Sequence, residues 1–292
     1  MKMTNKYGLP APMVEAIMNR PYDSEGSYIT ATSLLQPPLI RQLRKLHADE
    51  IEEDVIDRVW SFIGDIGHGI LERSAEHTEG ESERRIFLDI EGYKCSGKFD
   101  YRSVTDNVLT DYKFTSAWSV VFGKEEWHEQ LNILDYLLFT DGIELESLQI
   151  CAILRDWNKR EAERNADYPQ KQVVIVPIER WSREDQEIFI ARRLAMHVGA
   201  DEGIIPACSE HERWYTGTKW AVIKKGQKRA QRVLDSLEEA EAWKEKAEDS
   251  KKMEIVVRPG ENRRCENFCD VAQWCPVFAQ LKAEKEALGA EE

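Results

Sequence analysis

Residues 97–114 read GKFDYRSVTDNVLTDYKF, and the fold turns on how this stretch is read. β-Branched and aromatic residues flank a polar TDN, the pattern of two strands joined by a tight turn. In a strand, residues two apart share a face, so Asp111 and Lys113 project together while Tyr112 faces the other way. Two registers are open. A turn at Thr105 and Asp106 sets Asp100 opposite Asp111, whereas a turn at Asp106 and Asn107 sets it opposite Lys113. Either one brings two carboxylates and an ammonium onto one face. Paired carboxylates repel unless a cation joins them, and their hard oxygens suit Mg²⁺ or Mn²⁺. A lysine beside them can orient an attacking water or stabilise charge on a phosphate. Together these groups carry the chemistry of phosphodiester hydrolysis.

Before the hairpin, RRIFLDIEGYKCS continues the strand-like block. Further upstream, from Leu39 to about His77, Ile51, Val55, Val59, Phe62, Ile63, Ile66 and Ile70 recur at helical spacing and predict one or two helices across the core. Within that region stands GDIGHGILE, where His68 and Glu72 lie four apart and so share a helix face. After the hairpin, SAWSVVFGKEEWHEQLNILDYLLFTDG reads as helix, and LQICAILRDW and QVVIVPIERW read as strands. SREDQEIFIARRLAMHVG follows as a capped helix ending at glycine. This order predicts a mixed α/β core. The expected organisation is a loosely structured lead-in over 1–36, a core over 37–204, and a C-terminal segment over 205–292 packed on that core.

The sequence G-x-x-D, then D-Y-K after ten intervening residues, with an upstream G-x-x-x-H-x-x-x-E helix and a downstream glutamine helix, resembles the PD-(D/E)XK nucleases of the RecB-like exonuclease branch. GDIGHGILE looks like that branch's first motif, GKFD its second, DYK its third and EQLNILDY its glutamine and tyrosine motif. The resemblance covers roughly residues 28–140. It implies a restriction-endonuclease-like fold, a central mixed sheet flanked by helices. It also implies that Asp100 and Asp111 are the principal metal ligands, with His68 and the Tyr112 backbone carbonyl beside them. Lys113 becomes the catalytic lysine, and Gln130 positions the lysine or the substrate strand. Glu72 is a further candidate for a metal contact through water. The branch often carries tyrosine four residues after the glutamine, a place Leu134 takes here, so Tyr136 is the nearest substitute.

A chain of 292 residues, 42% of them hydrophobic, can bury a substantial core, and its apolar runs fall short of a membrane span. The opening MKMTNKYGLPAPM lacks the apolar core of a signal peptide, so a cytoplasmic setting is expected, the host cytoplasm if the protein is phage-encoded. The net charge of -14 opposes indiscriminate adsorption to nucleic acid but leaves room for a local basic groove. In a reducing compartment the six cysteines are better read as metal ligands or buried thiols than as disulfides. Cys265, Cys269 and Cys275 cluster in RRCENFCDVAQWCPVF and suit Zn²⁺ or an iron-sulfur cluster. Cys208 is the best fourth ligand, and Cys95 and Cys151 fall in predicted strands. By resemblance to AddB-type and CRISPR-associated exonucleases, the tail would hold a [4Fe-4S] cluster as a clasp. Its first spacing is longer than the common two, and those relatives place the fourth cysteine ahead of the nuclease motifs.

The segment ERWYTGTKWAVIKKGQKRAQR combines Lys219, Lys224, Lys225, Lys228, Arg229 and Arg232 with Trp214, Tyr215 and Trp220. Positive charge would follow a phosphate backbone, and the rings could stack unpaired bases. The expected function is a metal-dependent DNA exonuclease of phage or bacterial recombination, replication or repair. Single- or double-stranded DNA ends would be its substrate, and single-strand-binding or recombination proteins its partners. The absence of G-x-x-x-x-G-K-[ST] argues against a helicase motor. Two other readings stand beside it: a non-catalytic DNA-binding or assembly factor on the same fold, and a structure-specific endonuclease.

Overall fold

Strand formation follows the β-branched and aromatic runs closely. The computed structural model describes residues 2–19, 24–227 and 229–290. In chain order, its first part contains α1 (Val59–Ala75), β1 (Arg85–Ile90), β2 (Tyr93–Lys98), β3 (Tyr101–Ser103) and β4 (Val108–Thr115). Then come α2 (Glu125–Thr140), β5 (Ser147–Leu154), β6 (Val173–Ile178) and α3 (Arg183–Asp201). The fold is α/β, with mixed sheets flanked by helices.

The five-stranded sheet has the order β6, β5, β4, β3 and the short strand Gly80–Ser82. β4 and β5 run parallel, joined by α2 as the crossover, and the other pairs are antiparallel. Along β5 the buried residues Leu148, Ile150, Ala152 and Leu154 alternate with more exposed ones and share a core with Leu131, Leu134 and Leu138 of α2. A three-stranded sheet of Ile29–Thr30, β2 and β1 lies upstream in the chain. The two sheets are linked by one bent ribbon. Arg84 accepts from Phe99 N at 3.2 Å and Asp100 accepts from Glu83 N at 3.2 Å, carrying the pairing from β1–β2 into Gly80–Ser82 and β3. At the bend Glu83 takes φ 52°, a left-handed conformation uncommon for a residue with a side chain, while the pairing register runs through it unbroken.

Several expectations change. Residues 1–36 are not a loose lead-in: the described part supplies a strand Lys2–Thr4 parallel to Glu52–Asp54, a helix Ala11–Met18, and the strand Ile29–Thr30. The helical pattern from Leu39 to His77 is interrupted by Glu52–Asp54, where the Asp54 side chain caps the next turn by accepting from Ile56 N. Its apolar residues do not all face the core, since Ile63, Ile66 and Ile70 are exposed. The helix expected over 116–142 splits at Gly123, whose φ of 70° ends Ala117–Phe122 before α2 begins. Helix α3 runs past Gly199 to Asp201, and Gly203 with φ 96° follows it.

The chain divides into two compact units, Met1–Gln36 with Glu52–Ile204, and Pro37–Ile51 with Ile205–Glu292. This differs from division at residues 36 and 204 because the helix Pro38–Leu46 turns Leu39, Ile40 and Leu43 onto Val271 of the C-terminal region. Arg44 ties the same helix to Asp270 at 2.8 Å, and His47 stacks on Trp274. The second unit also holds a three-stranded antiparallel sheet, β7 (Lys219–Lys224) between β8 (Ala230–Leu234) and β9 (Met253–Arg258). The helix Leu237–Lys246 covers it through Ala240, against Val222 and Met253. Among the described residues, no helix is long and apolar enough to cross a membrane.

Candidate active site and cysteine cluster

The hairpin adopts the first of the two registers: Tyr101 pairs with Thr110 and Ser103 with Val108, so Asp100 falls across from Asp111. Asn107 closes the turn with φ 51°, which asparagine tolerates better than most residues. Asp100 lies just past the ribbon's bend, and its Oδ2 accepts from the Tyr112 backbone N at 2.7 Å. That bond fixes the carboxylate between the two strands.

Asp111 is only 3% exposed. Burial pushes its carboxyl up to about 6, with Asp100 adding to the rise and Lys113 opposing it. Its Oδ2 lies 2.6 Å from Lys113 Nζ, and its Oδ1 accepts from Gln130 Nε2 at 3.1 Å. Gln130 Oε1 in turn accepts from Lys113 Nζ at 3.0 Å, closing a triangle of three side chains from β4 and α2. Gly97 lets α2 come this close to β2, because a Cβ there would stand 2.5 Å from Leu134 Cδ2. Asp100, Asp111, Lys113 and Gln130 line one open cavity of about 710 Å³, whose walls also include Lys98 and Arg85.

On the other side of β4, α1 approaches through Gly67, where a Cβ would meet the Phe114 ring at 1.9 Å. This contact sets His68 with Nδ1 3.5 Å from Asp100 Oδ1 and 4.0 Å from Glu83 Oε1. The Asp100 carboxylate raises the His68 pKa above its ordinary 6.5, against desolvation by burial, and Asp111 and Glu83 add to the rise. His68, Glu83 and Asp100 offer ligand atoms within 4.8 Å of one another, a nitrogen and two carboxylate oxygens that suit a divalent cation. Glu83 also pairs with Lys98. It is absent from the sequence expectation, and no spacing could have found it, because its approach depends on the left-handed bend of the ribbon. Glu72 does not join this group; it is exposed on α1. Tyr112 sends its ring toward His68, edge-on at 6.3 Å, opposite to its neighbours Asp111 and Lys113 as the strand period requires. Tyr136 is not brought to the site. Six positions beyond Gln130, it meets Glu187 of α3 and packs against the core.

In the second unit, Cys208, Cys265, Cys269 and Cys275 line one small cavity with Leu39, Leu43 and Val271. All are free thiols. Burial pushes Cys208 up to about 12, with Glu212, Cys275 and Cys265 adding to it. Cys265 and Cys269 rise for the same first reason, and each feels Cys275. The four sulfurs line this apolar-walled cavity together, but among the described residues no three of them come within 4.8 Å of one another. Cys95 is buried in β2, apart from this group.

The basic and aromatic segment is less open than expected. Lys219 pairs with Asp235, and Lys224 lies 2.8 Å from Asp249. Trp220 packs on the core of the small sheet. Trp214, with φ 54°, lies against Phe268, with Arg264 over its ring. Lys225, Arg229 and Arg232 are exposed, and Lys228 lies outside the described residues.

No family model matches the chain, and no curated protein matches it. A solved structure described as "Crystal structure of SSO0001" is similar at 18% identity with a TM-score of 0.45, over 65% of this chain and 84% of that one. A likeness at that score carries no functional argument.

Proposed function

We propose that the protein is a Mg²⁺- or Mn²⁺-dependent DNA exonuclease on a restriction-endonuclease-like core, of the PD-(D/E)XK superfamily and its RecB-like branch, serving phage or bacterial recombination, replication or repair. One observation carries the reading: the closed triangle of Asp111, Lys113 and Gln130 beside the His68, Glu83 and Asp100 cluster. A structural salt-bridge ladder has no need of a buried carboxylate held against its preferred ionisation.

Asp100, Asp111, His68 and Glu83, with the Tyr112 carbonyl, are the residues that would hold the cation, which supplies Lewis-acid polarisation of a phosphate and a water of lowered pKa. Lys113 has its ammonium anchored by Gln130 and Asp111, so it stays beside the reacting centre and offers its remaining donor to a water or a phosphate oxygen. Ionised Asp111 is costly without a cation, and pairing in the loaded site removes that cost. The cysteine cavity supports a Zn²⁺ or [4Fe-4S] clasp held by Cys208, Cys265, Cys269 and Cys275, which would pin the C-terminal chain with no part in hydrolysis.

The test sets end-labelled linear DNA beside covalently closed circular DNA, with Mn²⁺ or EDTA. Metal-dependent loss of the linear form alone is the expected result. Nicking of the circle would replace the exonuclease with an endonuclease, and binding without cleavage of either would favour the assembly role.

A further inference from the structure

Three aromatic side chains that the core does not absorb stand around the outer end of β4, the strand of Asp111 and Lys113. Trp60 on α1 is 56% exposed, Trp118 is 44% exposed and Phe122 is 80% exposed. Trp118 and Phe122, one turn apart on Ala117–Phe122, stack with centroids 5.6 Å apart and planes at 21°. Tyr168 meets Trp118 edge-on at 5.8 Å and braces it. The Arg155 guanidinium lies 4.3 Å over the Trp60 ring. A backbone bond and a side-chain bond tie these groups to the strand end. Arg155 N donates to the Thr115 carbonyl at 2.9 Å, and the next residue, Asp156, accepts from Ala117 N at 2.7 Å. Thr115 is two residues beyond Lys113, about 7 Å along the strand.

We propose that Trp60, Trp118 and Phe122 form a stacking platform for the unpaired bases of a single nucleic-acid strand threading to the Asp111–Lys113 site. For its position beside a cleavage site the inference rests on the nuclease reading; the binding itself does not. Exposed ring faces accept any base, because every base has a π-face, and Arg155 supplies positive charge for the adjoining phosphates. In a duplex the bases are already stacked on one another, so the platform selects unpaired strand. The basic segment of the second unit, with Lys219 and Lys224 already paired to acids, offers less of both features. A second copy of the chain could cover the same region through the exposed Ile63, Ile66 and Ile70 of α1. It would have to desolvate Arg155 to do so.

The experiment measures binding of the full chain in EDTA to a labelled 12-nucleotide strand, to the same backbone carrying stable abasic sites, and to a blunt duplex. The base-bearing strand is expected to bind about tenfold or more tightly than the abasic one. Phe122→Ala, at a position too exposed to matter for folding, should weaken binding of the base-bearing strand several-fold and leave the abasic strand and the duplex unchanged. The Trp118→Ala, Phe122→Ala double variant should abolish the difference between the strands. Equal affinity of the wild type for base-bearing and abasic strands overturns the platform. So does sedimentation of a dimer that Trp60→Ala or Ile66→Ser dissociates, which gives the surface to a second copy. Mn²⁺-dependent cleavage is read in parallel. Cleavage without base selectivity removes the platform alone, whereas base-selective binding with no cleavage removes the nuclease reading and leaves the platform standing.

Discussion

Lys113 donates to the Gln130 side-chain carbonyl at 3.0 Å, and the same amide turns its nitrogen to Asp111 Oδ1 at 3.1 Å. Lysine has no acceptor and an ionised carboxylate has no donor, so only one orientation of the amide serves both. The glutamine therefore grips both charged ends of D-Y-K at once and holds them 2.6 Å apart.

Removal of that grip should be felt in the chemical step. Gln130→Ala is expected to lower the single-turnover cleavage rate about 10- to 100-fold through misplacement of Lys113, with KM little changed. Gln130→Glu should do no better, since it sets a like charge against Asp111. Rapid-quench measurements on end-labelled DNA decide the matter, and an unchanged rate in Gln130→Ala would reduce the bridge to packing.

Asp111 should be a residue that function keeps at the expense of stability. Its folded pKa of about 6 stands above an unfolded value of about 3.9, so between these pH values the native chain holds the extra proton. The destabilisation is present above pH 6 and relieved as pH falls toward 4. Without metal, Asp111→Asn is expected to be more stable than the wild type at pH 7.5, by on the order of 1 kcal/mol, with the advantage shrinking by pH 4.5. Thermal melts of both proteins across that range test the sign. A variant less stable at every pH would mean that the ionised carboxylate supports the fold.

Gly67→Ala should couple packing to function. A methyl 1.9 Å from the Phe114 ring forces α1 away from β4, which is expected to cost about 1–3 kcal/mol and to move His68 from Asp100. Phe114→Leu in the same chain should restore part of the stability. Denaturant melts with cleavage assays on the single and double variants provide the check, and a neutral Gly67→Ala would contradict the close approach.

The hairpin was legible in the sequence because the strand period is two and the charges sit at fixed offsets from a turn, so residues 97–114 carried both the local structure and the site. Gln130 was legible only through the motif resemblance, since no local rule says which helix faces β4. Glu83 was hidden because it enters through a bend between two sheets, a long-range event. Helical periodicity over 51–70 marked an apolar stripe without saying what covers it, and Ile63, Ile66 and Ile70 prove exposed. The same limit applies to Pro38–Leu46, whose apolar face finds Val271 more than 200 positions on, a distance at which pattern carries no information.

The four cysteines make a separate claim. If the proposed clasp holds, Cys269→Ser is expected to lower bound zinc or iron per chain and to reduce the melting temperature, because the clasp would lose one of its four ligands. Cys151→Ser, on β5 and apart from that cavity, should leave metal content unchanged. Elemental analysis of protein purified without oxygen measures both. Equal metal content in Cys269→Ser and wild type would end the clasp.

The most direct test of the central claim is cleavage of end-labelled linear DNA by the wild type and by Lys113→Ala, with Mg²⁺, Mn²⁺ or EDTA, each protein first checked for a native melt. Metal-dependent release of labelled nucleotides by the wild type, silenced by EDTA and lowered at least a thousandfold in Lys113→Ala, is the predicted result, on the scale of losing a group that stabilises transition-state charge. Full activity in a folded Lys113→Ala would contradict the account and move the chemistry away from the Asp111, Lys113 and Gln130 triangle.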